Sequence, residues 1–550
     1  MADSKREIER KFEFAPGKAG KGEKPGKRAK AGAGPLPLPD LTGTAGIAEV
    51  RDRGTVHLDA VYYDTPDRRL AADGLTLRRR TGGDDAGWHL KLPVSPGIRE
   101  EVHAPLSDAV PHDLAALVRS RVRGAALEPL VRLRSERHLR DLLDGDGNPL
   151  AELCTDAVRA ERGEAVATWT EVEVELADGT AGADGDPAGE ETGTALLDTI
   201  GKKFLKAGLR ASDAPSKLAR ALAETDAGAG AGADADADAD ADAETGTGAE
   251  TDAEPPEGTA AAYVLAYLRE QRDVIVALDP AVRRDLPDSV HQMRVAVRRT
   301  RSAFKTHRKV LDRTVTDPLG EELKWLGGEL GVDRDREVLR ERFRTHIREL
   351  PRDLVVGPVR GRLRTWNETR RRDSRRRALA ALDSPRHISL LDALDALLAG
   401  PPLLKAADRP AESVLPKAVL HDYDRLAERV GHALELAPGH ERDLALHEAR
   451  KAAKRARYAA EAAVPALGKP AKHQAKAMKK VQTLLGGHQD SVVARAALRG
   501  LADQAAGAGE PSFTWGVLYA REEALAQRQE DELPGVWAKA ADPRLRAALK

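Results

Sequence analysis

The chain has 550 residues, of which 41% are hydrophobic, 3% aromatic and 32% charged, and its formal net charge is −1. This length is enough for two or more domains with hydrophobic cores, and the single cysteine, Cys154, excludes an internal disulfide framework. No apolar run approaches the roughly 20 residues of a membrane helix, and the charged N-terminus lacks a signal-peptide core. We therefore predict a cytoplasmic protein without a membrane partner.

Residues 1 to about 222 are predicted to form mainly strands. The predicted strands are short alternating segments separated by turn residues, at 7–14, 56–64, 75–80, 88–92 and 170–176. Helices are predicted at 114–122 and 218–223, and the Gly-, Lys-, Pro- and Ala-rich residues 18–39 are predicted to form a loop. Many strands and few helices indicate an antiparallel barrel or another α+β fold.

Charged side chains alternate along several of these strands, so they share one strand face. They are Glu7, Glu9, Lys11, Arg78, Arg80, Lys91, Glu171, Glu173 and Glu175. A single strand of this kind is usually a solvated face, but the recurrence predicts a charged barrel interior. Carboxylates bind hard divalent ions such as Mg²⁺ or Mn²⁺, and lysine and arginine bind phosphate oxygens. The pattern therefore favours phosphate chemistry with a metal.

Residues 224–258 are of low complexity, with alternating alanine and aspartate at 233–243. Such a segment lacks the apolar residues of a core, so we predict a disordered acidic linker. The alternative is that it docks on a basic surface of the same chain as a polyanion mimic.

Residues 259 to the end have the periodicity of helices. In the helix predicted at 290–305, a basic row lies on one arc and Met293, Val297 and Phe304 lie on the adjoining arc. The row comprises His291, Arg294, Arg298 and Arg301, and it recurs 156 residues later as His447, Arg450, Lys454 and Arg457. LGVDRD at 330–335 likewise recurs as LGGHQD at 485–490. These repeats predict a duplicated helical domain with two cationic surfaces.

The N-terminal motifs resemble those of the CYTH superfamily, also called triphosphate tunnel metalloenzymes. Residues 7–11, EIERK, resemble its ExExK signature, and the later family motifs follow in order, at 62–66, 75–80, 88–91, 134–137, 156, 171–175 and 216–217. The resemblance implies an eight-stranded antiparallel tunnel over residues 4–223 that binds triphosphate and a divalent metal.

The same resemblance implies the site residues. Metal ligands would be Glu7, Glu9, Glu171, Glu173 and Glu175, one of these carboxylates activating water. Phosphate ligands would be Lys11, Arg78, Arg80, Lys91, Arg134, Arg137 and Lys217. We predict a catalytic set of Glu7, Glu9, Lys11, Glu171 and Glu173, with Mg²⁺ or Mn²⁺ as cofactor.

Residues 259–545 resemble the CHAD domain, with pseudo-repeats at about 260–400 and 411–545. The resemblance implies two helical bundles that bind inorganic polyphosphate through the two basic rows. Arg299, Lys305, Lys451, Lys479 and Lys480 are weaker additions to them. Nucleic acid is not predicted, because this half has few aromatic residues for stacking and no recognisable groove-reading motif.

The predicted function is metal-dependent hydrolysis of tripolyphosphate or a related triphosphate, combined with polyphosphate binding and possible association with polyphosphate granules. One alternative is a non-catalytic polyphosphate-binding protein with a degenerate tunnel. The other is adenylate cyclisation from ATP, which also occurs in the CYTH superfamily.

Overall fold

The structure is a computed structural model that describes residues 3–14, 38–177, 187–230 and 255–549. Within these ranges the side chains of residues 3, 187–190, 228–230, 332–338 and 369–371 are not described. The acidic run at 233–243 and all but the end of the predicted loop at 18–39 lie outside the described residues. The chain divides into two compact units, residues 1–245 and 246–550.

The first unit is built on an antiparallel sheet in which eight strands close into a barrel. Its strands are β1 (Asp3–Phe14), β2 (Glu49–Asp64), β3 (Thr76–Thr81), β4 (Gly87–Ser95), β5 (Ile98–Ala104), β6 (Glu128–Leu143), β7 (Pro149–Arg162), β8 (Ala165–Leu176) and β9 (Leu209–Ala211). The order around the barrel is β1-β5-β4-β3-β2-β6-β7-β8. β1 closes it because residues 3–8 pair with β5 and residues 9–13 pair with β8. The predicted eight-stranded antiparallel barrel is confirmed.

Apolar side chains cover the outside of this barrel. The helices of the first unit are α1 (Arg69–Ala72), α2 (His112–Val122), α3 (Pro187–Lys206) and α4 (Lys217–Gly230). On β8, Val172 and Val174 alternate with the glutamates and pack with Phe204 of α3. α2 covers β3, β4 and β5 in the same way. Because side chains alternate along each strand, the charged residues between these apolar positions face inward.

One end of the barrel interior is apolar, and α4 packs there. Val131, Val158 and Trp169 share the inward parity of the charged residues on their strands, and they cluster with Leu218 and Leu222 of α4. This contact holds the start of α4 against the interior. α4 also extends to Gly230, so the predicted linker boundary at 224 is corrected by about two helical turns.

The second unit is all-helical in its described residues. Its helices are α5 (Ala260–Arg283), α6 (Ser289–Thr306), α7 (Arg313–Glu329), α8 (Gly331–Glu349), α9 (Val359–Asp383), α10 (Pro385–Ala399), α11 (Ala411–Glu435), α12 (His440–Ala462), α13 (Val464–Leu467), α14 (Lys469–Gly507), α15 (Phe513–Ala540) and α16 (Pro543–Ala547), with a 3₁₀ turn at Arg352–Leu354. No helix among the described residues is long and apolar enough to cross a membrane.

The predicted duplication is visible in the order of these helices. α6 corresponds to α12, the consecutive helices α7 and α8 correspond to the single long helix α14, and α9 corresponds to α15. The predicted core positions Met293, Val297 and Phe304 of α6 are buried. On α12 the buried positions are largely alanines, such as Ala449 and Ala453, which allow close helix approach.

Candidate functional site

A charged cavity of about 540 Å³ lies inside the barrel. Its walls carry nine lysine or arginine and eight aspartate or glutamate side chains, so positive and negative groups are nearly balanced. Ten of the predicted site residues line it: Glu7, Glu9, Lys11, Arg78, Arg80, Lys91, Arg137, Glu173, Glu175 and Lys217. Strand alternation therefore brings nine of these residues together, and α4 contributes the tenth, Lys217.

The wall formed by β1 and β8 concentrates carboxylates. Glu9 and Glu175 lie directly opposite each other on the two strands, an arrangement in which like charges repel. Lys11 Nζ lies 3.0 Å from the Glu9 carboxylate and also contacts Glu173, while Lys5 Nζ lies 2.9 Å from Glu175. Burial alone would lower the pKa of Lys11, but Glu173 and Glu9 raise it above its ordinary value. The ammonium group therefore stays charged inside the barrel.

Lys217, the first residue of α4, lies at the centre of a second carboxylate group. Its Nζ is 3.0 Å from Asp156, 2.5 Å from Glu171 and 2.5 Å from Glu173. Arg137 donates hydrogen bonds of 2.8 and 2.7 Å to Asp156 and one of 3.0 Å to Glu173. Burial would lower the pKa of Lys217, but the three carboxylates raise it well above its ordinary value. α4 thus supplies a fixed positive charge to the interior.

The opposite wall, from β3, β4 and β5, is organised around Glu101. Lys91 Nζ lies 2.6 Å from Glu7 and 3.8 Å from Glu101, and Arg78 also lies 3.8 Å from Glu101. Arg78 donates a 3.3 Å hydrogen bond to the Tyr62 hydroxyl. Burial works to raise the pKa of Glu101, but Lys91 and its other polar neighbours lower it below its ordinary value. Glu101 therefore holds both cations in place as an ionised carboxylate.

Glu7 and Arg80 have pKa values that are shifted in the directions that burial favours. Burial raises the pKa of Glu7 to about 7, because the attraction of Lys91 is opposed by Glu175 and other nearby carboxylates. Burial together with Arg78 and Arg137 lowers the pKa of Arg80 to about 9, so Arg80 remains a cation at neutral pH. Burial would also raise the pKa of Glu9, but Lys11 and other nearby cations lower it below its ordinary value.

Two groups of carboxylates in the barrel are candidates for holding a hard divalent cation, and one group fits such an ion better than the other. Asp156, Glu171 and Glu173 have ligand oxygens within 4.8 Å of one another, but the Lys217 ammonium already lies between them, within 3.0 Å of all three. Glu7, Glu9 and Glu175 each lie within 3.0 Å of a lysine ammonium, and all three line the cavity, whereas Asp156 and Glu171 do not. Carboxylate oxygens are the ligands that Mg²⁺ and Mn²⁺ prefer. The residues present therefore fit such an ion.

Two predicted residues lie elsewhere. Arg134 is three positions before Arg137 on β6, so the two side chains point to opposite faces. Arg134 is 48% exposed outside the barrel and lies 3.1 Å from Glu161, which corrects its predicted place in the tunnel. Glu171 does not line the cavity, since Trp169 Nε1 donates a 2.7 Å hydrogen bond to it and its other oxygen contacts Lys217. Glu171 therefore helps to hold the Lys217 ammonium in place.

Several residues of the cavity were not predicted to have a role. Glu101 and His89 lie on β5 and β4, where His89 Nδ1 is 2.9 Å from the Glu101 carboxylate. Tyr62 lies on β2 and contacts Arg78. The sequence signal for Glu101 is the alternation in the segment IREEVHA, which was not predicted as a strand.

The basic rows of α6 and α12 form the candidate site of the second unit. All eight predicted side chains are partly buried: His291, Arg294, Arg298, Arg301, His447, Arg450, Lys454 and Arg457. Burial, together with Arg450 and Arg298, lowers the pKa of Lys454 to about 7. The two rows therefore come close enough for their cations to repel one another.

Each row is joined to the LG motif of its own repeat. Arg294 donates a 3.0 Å hydrogen bond to the carbonyl oxygen of Gly331, and a methyl group on that glycine would lie 3.3 Å from the guanidinium. At the equivalent place in the second repeat, a methyl group on Gly486 would lie 3.8 Å from Arg450. The glycines therefore leave room for the two arginines beside the helices that carry the motif.

The ends of the rows differ. Arg301 donates a 3.0 Å hydrogen bond to the carbonyl oxygen of Gly320, whereas Arg457 lies 3.3 Å from Glu461. His447 Nδ1 lies 2.6 Å from the Gln489 side-chain oxygen, so this histidine is oriented by a hydrogen bond. The described carboxylates near the rows are few.

A separate group of possible metal ligands, Asp443, His488 and Glu530, lies elsewhere in the second unit. Arg495 is 3.1 Å from Asp443 and Arg442 is 3.1 Å from Glu530, so both carboxylates already have a cationic partner. His488 completes this buried ion-pair network.

Models of two protein families match the chain. The CYTH domain model matches residues 45–191, and the CHAD domain model matches residues 266–499. Two Mycobacterium tuberculosis proteins, the uncharacterized proteins Rv2226 and MT2285 of two strains, are each 38% identical over 515 residues. The match covers 90% of this chain and 92% of each relative.

Among solved structures, the chain is similar to PptA from Streptomyces chartreusis, with 23% identity and a TM-score of 0.41. The match covers 51% of this chain and 99% of PptA. A Hippeastrum protein, described as a putative adenylyl cyclase with a dominant triphosphatase activity, matches with 16% identity and a TM-score of 0.20. That match covers 40% of this chain and 95% of the Hippeastrum chain.

Proposed function

The chain belongs to the CYTH–CHAD two-domain proteins, and from that premise we propose that its first unit hydrolyses tripolyphosphate or a related triphosphate. Hydrolysis depends on Mg²⁺ or Mn²⁺. The second unit binds inorganic polyphosphate along α6 and α12. The observation that carries the proposal is a closed barrel whose interior combines fixed cations on several strands with a wall of clustered carboxylates.

The cations of the barrel are suited to a chain of phosphates. Arg78, Lys91 and Arg137 come from three strands, and Lys217 comes from α4, so a bound anion is contacted from several sides. Guanidinium and ammonium groups form their strongest hydrogen bonds with charged oxygens. Because carboxylates already hold these groups in place, little side-chain entropy is lost when phosphate oxygens bind.

The carboxylate wall is the proposed place for the metal. Glu7, Glu9 and Glu175 would hold the ion, which would polarise phosphoryl oxygens and neutralise charge as the anhydride bond breaks. A carboxylate of this wall orients the attacking water and accepts its proton. Lys11 stays charged between Glu9 and Glu173 and binds a phosphate oxygen. Glu171 acts by fixing Lys217.

The test of the tunnel proposal is phosphate release from tripolyphosphate with Mg²⁺, with Mn²⁺ and with chelator. We expect Glu9→Gln to lower the metal-dependent rate by about 100-fold or more, because it removes a charged oxygen ligand. Glu136→Gln is the matched control, since Glu136 is an exposed residue on the outer face of β6. A panel of nucleoside triphosphates and thiamine triphosphate identifies the preferred substrate.

The outcomes separate the candidate functions. No metal-dependent phosphate release from any triphosphate, together with intact polyphosphate binding, would indicate a non-catalytic binding protein. Cyclic AMP formed from ATP would indicate the cyclase instead. A Glu136→Gln effect equal to that of Glu9→Gln would show that the loss comes from the barrel as a whole.

The polyphosphate proposal is supported by the surroundings of Lys454. Four cations, Arg294, Arg298, Arg450 and Lys454, come from both repeats, and their mutual repulsion is relieved when a polyanion binds. A bare phosphate polymer needs only spaced cations, which this surface provides. Binding should therefore weaken steeply with salt, as counterions are released from the polymer.

A further inference from the structure

A groove of about 520 Å³ between α8 and α9 is lined by arginines on both sides. One row is Arg340, Arg344 and Arg348 on α8, and the other is Arg360 and Arg364 on α9. The four-residue spacing places each row along one helix face with about 6 Å of rise between successive members. The groove therefore has two parallel basic walls.

Among the described side chains, Arg344 lies 3.5 Å from Glu341, and most of the remaining positive charge of this groove has no carboxylate partner. Arg340, Arg360 and Arg364 are exposed and have no hydrogen bond or ion pair to any described side chain. Glu368 is the one carboxylate among the described lining residues. The surrounding segment 331–383 has sixteen arginines and nine acidic residues, a local charge of +7 in a chain whose formal net charge is −1.

Arginines of the same helices that point away from the groove are paired with carboxylates. Arg342 lies 2.7 Å from the buried Glu522, and Arg362 lies 2.6 Å from Glu510. A solvated basic helix would carry acidic neighbours on the same face, as surface charges of both signs usually intermix. The contrast holds for Arg340, Arg360 and Arg364, which are therefore available to bind an external anion.

The groove is not repeated in the second half of the domain. At an offset of 155 residues, Arg495, Arg499 and Asp503 of α14 take the places of Arg340, Arg344 and Arg348. Arg495 is 3.1 Å from Asp443, and Asp503 has the opposite charge. This groove is therefore distinct from the duplicated rows of α6 and α12.

We propose that the groove between α8 and α9 is a second binding site for inorganic polyphosphate; this inference rests on the proposed function of the second unit. A polymer that carries negative oxygens along its whole length contacts both arginine walls at once. Guanidinium groups bind phosphate oxygens in pairs, which suits rows of arginine more than scattered charges. The site adds contacts to those of α6 and α12 on the same unit.

The lining favours this polymer over other polyanions. An acidic peptide usually needs apolar pockets for anchor side chains, but the apolar lining residues Ile347 and Leu363 are only 3% and 6% exposed. Single-stranded nucleic acid gains much of its affinity from stacking on aromatic side chains, and the described lining of the groove has none. Only the charged oxygens of a ligand find partners here.

The test uses the full chain and a long inorganic polyphosphate, with affinity measured over a range of salt concentrations. The variant is the triple substitution Arg340→Gln, Arg360→Gln and Arg364→Gln. Its matched control is Arg313→Gln, Arg376→Gln and Arg528→Gln, which removes the same charge from exposed positions outside both proposed sites. Thermal unfolding of each variant checks that the second unit remains folded.

We expect the groove variant to bind polyphosphate about tenfold more weakly, with a salt slope smaller by about 2. The control should keep an affinity within about twofold of the original chain. Equal affinities of the groove variant and its control would overturn the second site while leaving the α6 and α12 proposal intact. Absence of polyphosphate binding by the original chain would instead contradict the proposed function. Loss of single-stranded RNA binding alone, without any change for polyphosphate, would assign the groove to nucleic acid and also overturn the inference.

Discussion

Buried lysines occur in both units, but their electrostatic surroundings are opposite. In the barrel, carboxylates raise the pKa of Lys11 and Lys217 above the ordinary value, although both side chains are largely buried. Between α6 and α12, burial with Arg450 and Arg298 lowers the pKa of Lys454 to about 7. The same residue type is therefore neutralised by partners in one unit and opposed by like charges in the other.

This difference bears on what each site can bind. Under the proposed function, an anion bound in the barrel would share cations that already have partners, so its affinity would depend on a good fit and on a metal for the carboxylates. On the helices, any polyanion relieves repulsion that is present in the free protein. The first arrangement suits a small substrate of defined size, and the second suits a polymer of any length.

The largest expected effect is on stability, through matched lysine substitutions. Lys217→Met leaves Asp156, Glu171 and Glu173 without their central cation and should lower the unfolding free energy of the first unit by about 3–5 kcal/mol. Lys454→Met removes a charge that its neighbours repel. It should lower the unfolding free energy of the second unit by less than about 0.5 kcal/mol, or raise it. Thermal unfolding with probes for each unit measures both. Similar destabilisation by the two substitutions would contradict the proposed difference between the surroundings of Lys217 and Lys454.

The next effect is on polymer binding. Replacing Arg294, Arg298, Arg450 and Lys454 by glutamine should reduce the salt slope of polyphosphate binding by about 3, because four phosphate contacts are lost. Titrations at several salt concentrations measure the slope. In the control variant, glutamine replaces four exposed arginines elsewhere on the unit: Arg313, Arg372, Arg376 and Arg528. An unchanged slope in the first variant would show that polyphosphate binds at another surface.

The sequence was sufficient for features that depend on short-range periodicity. The two-residue period placed Glu7, Glu9 and Lys11 on the inner face of β1, and the helical period placed Met293 and Val297 in the core. The constant offset between repeats likewise anticipated the pairing of α6 with α12. These patterns are set by local backbone geometry, so they can be found without coordinates.

Features that depend on which strands and helices pack together could not be predicted from these short-range patterns. Arg134 was grouped with Arg137 by family motif, although their odd spacing on β6 already placed them on opposite faces. The role of Lys217 between three carboxylates depends on α4 packing against the barrel end. The α8 and α9 groove was missed because its arginines are separated by a turn and form no repeated motif.

A smaller effect concerns pH and sharpens the contrast between lysines. Because Lys454 has a pKa of about 7 in the free protein, it is mostly charged at pH 6 and mostly neutral at pH 8. A polyanion favours the charged form, so binding should take up a proton and weaken by at most about tenfold from pH 6 to pH 8. The Lys454→Arg variant keeps its positive charge over this pH range, so the part of the pH dependence of polyphosphate affinity that comes from Lys454 should disappear. Affinity measured at constant ionic strength tests it, and parallel pH profiles for both proteins would exclude Lys454 as the titrating group.

The smallest expected effect tests the glycines beside the two arginines. Gly331→Ala places a methyl group 3.3 Å from the Arg294 guanidinium, so the side chain must move and its 3.0 Å hydrogen bond to the Gly331 carbonyl oxygen weakens. Loss of one such bond corresponds to roughly fivefold weaker polyphosphate binding. Gly486→Ala makes only an ordinary 3.8 Å contact with Arg450 and favours helix formation within α14, so affinity should stay unchanged and stability should rise by up to about 1 kcal/mol. Polyphosphate titrations of the two variants decide whether the first repeat holds its arginine more tightly than the second. Equal losses of affinity would show that both glycines are simply needed for packing.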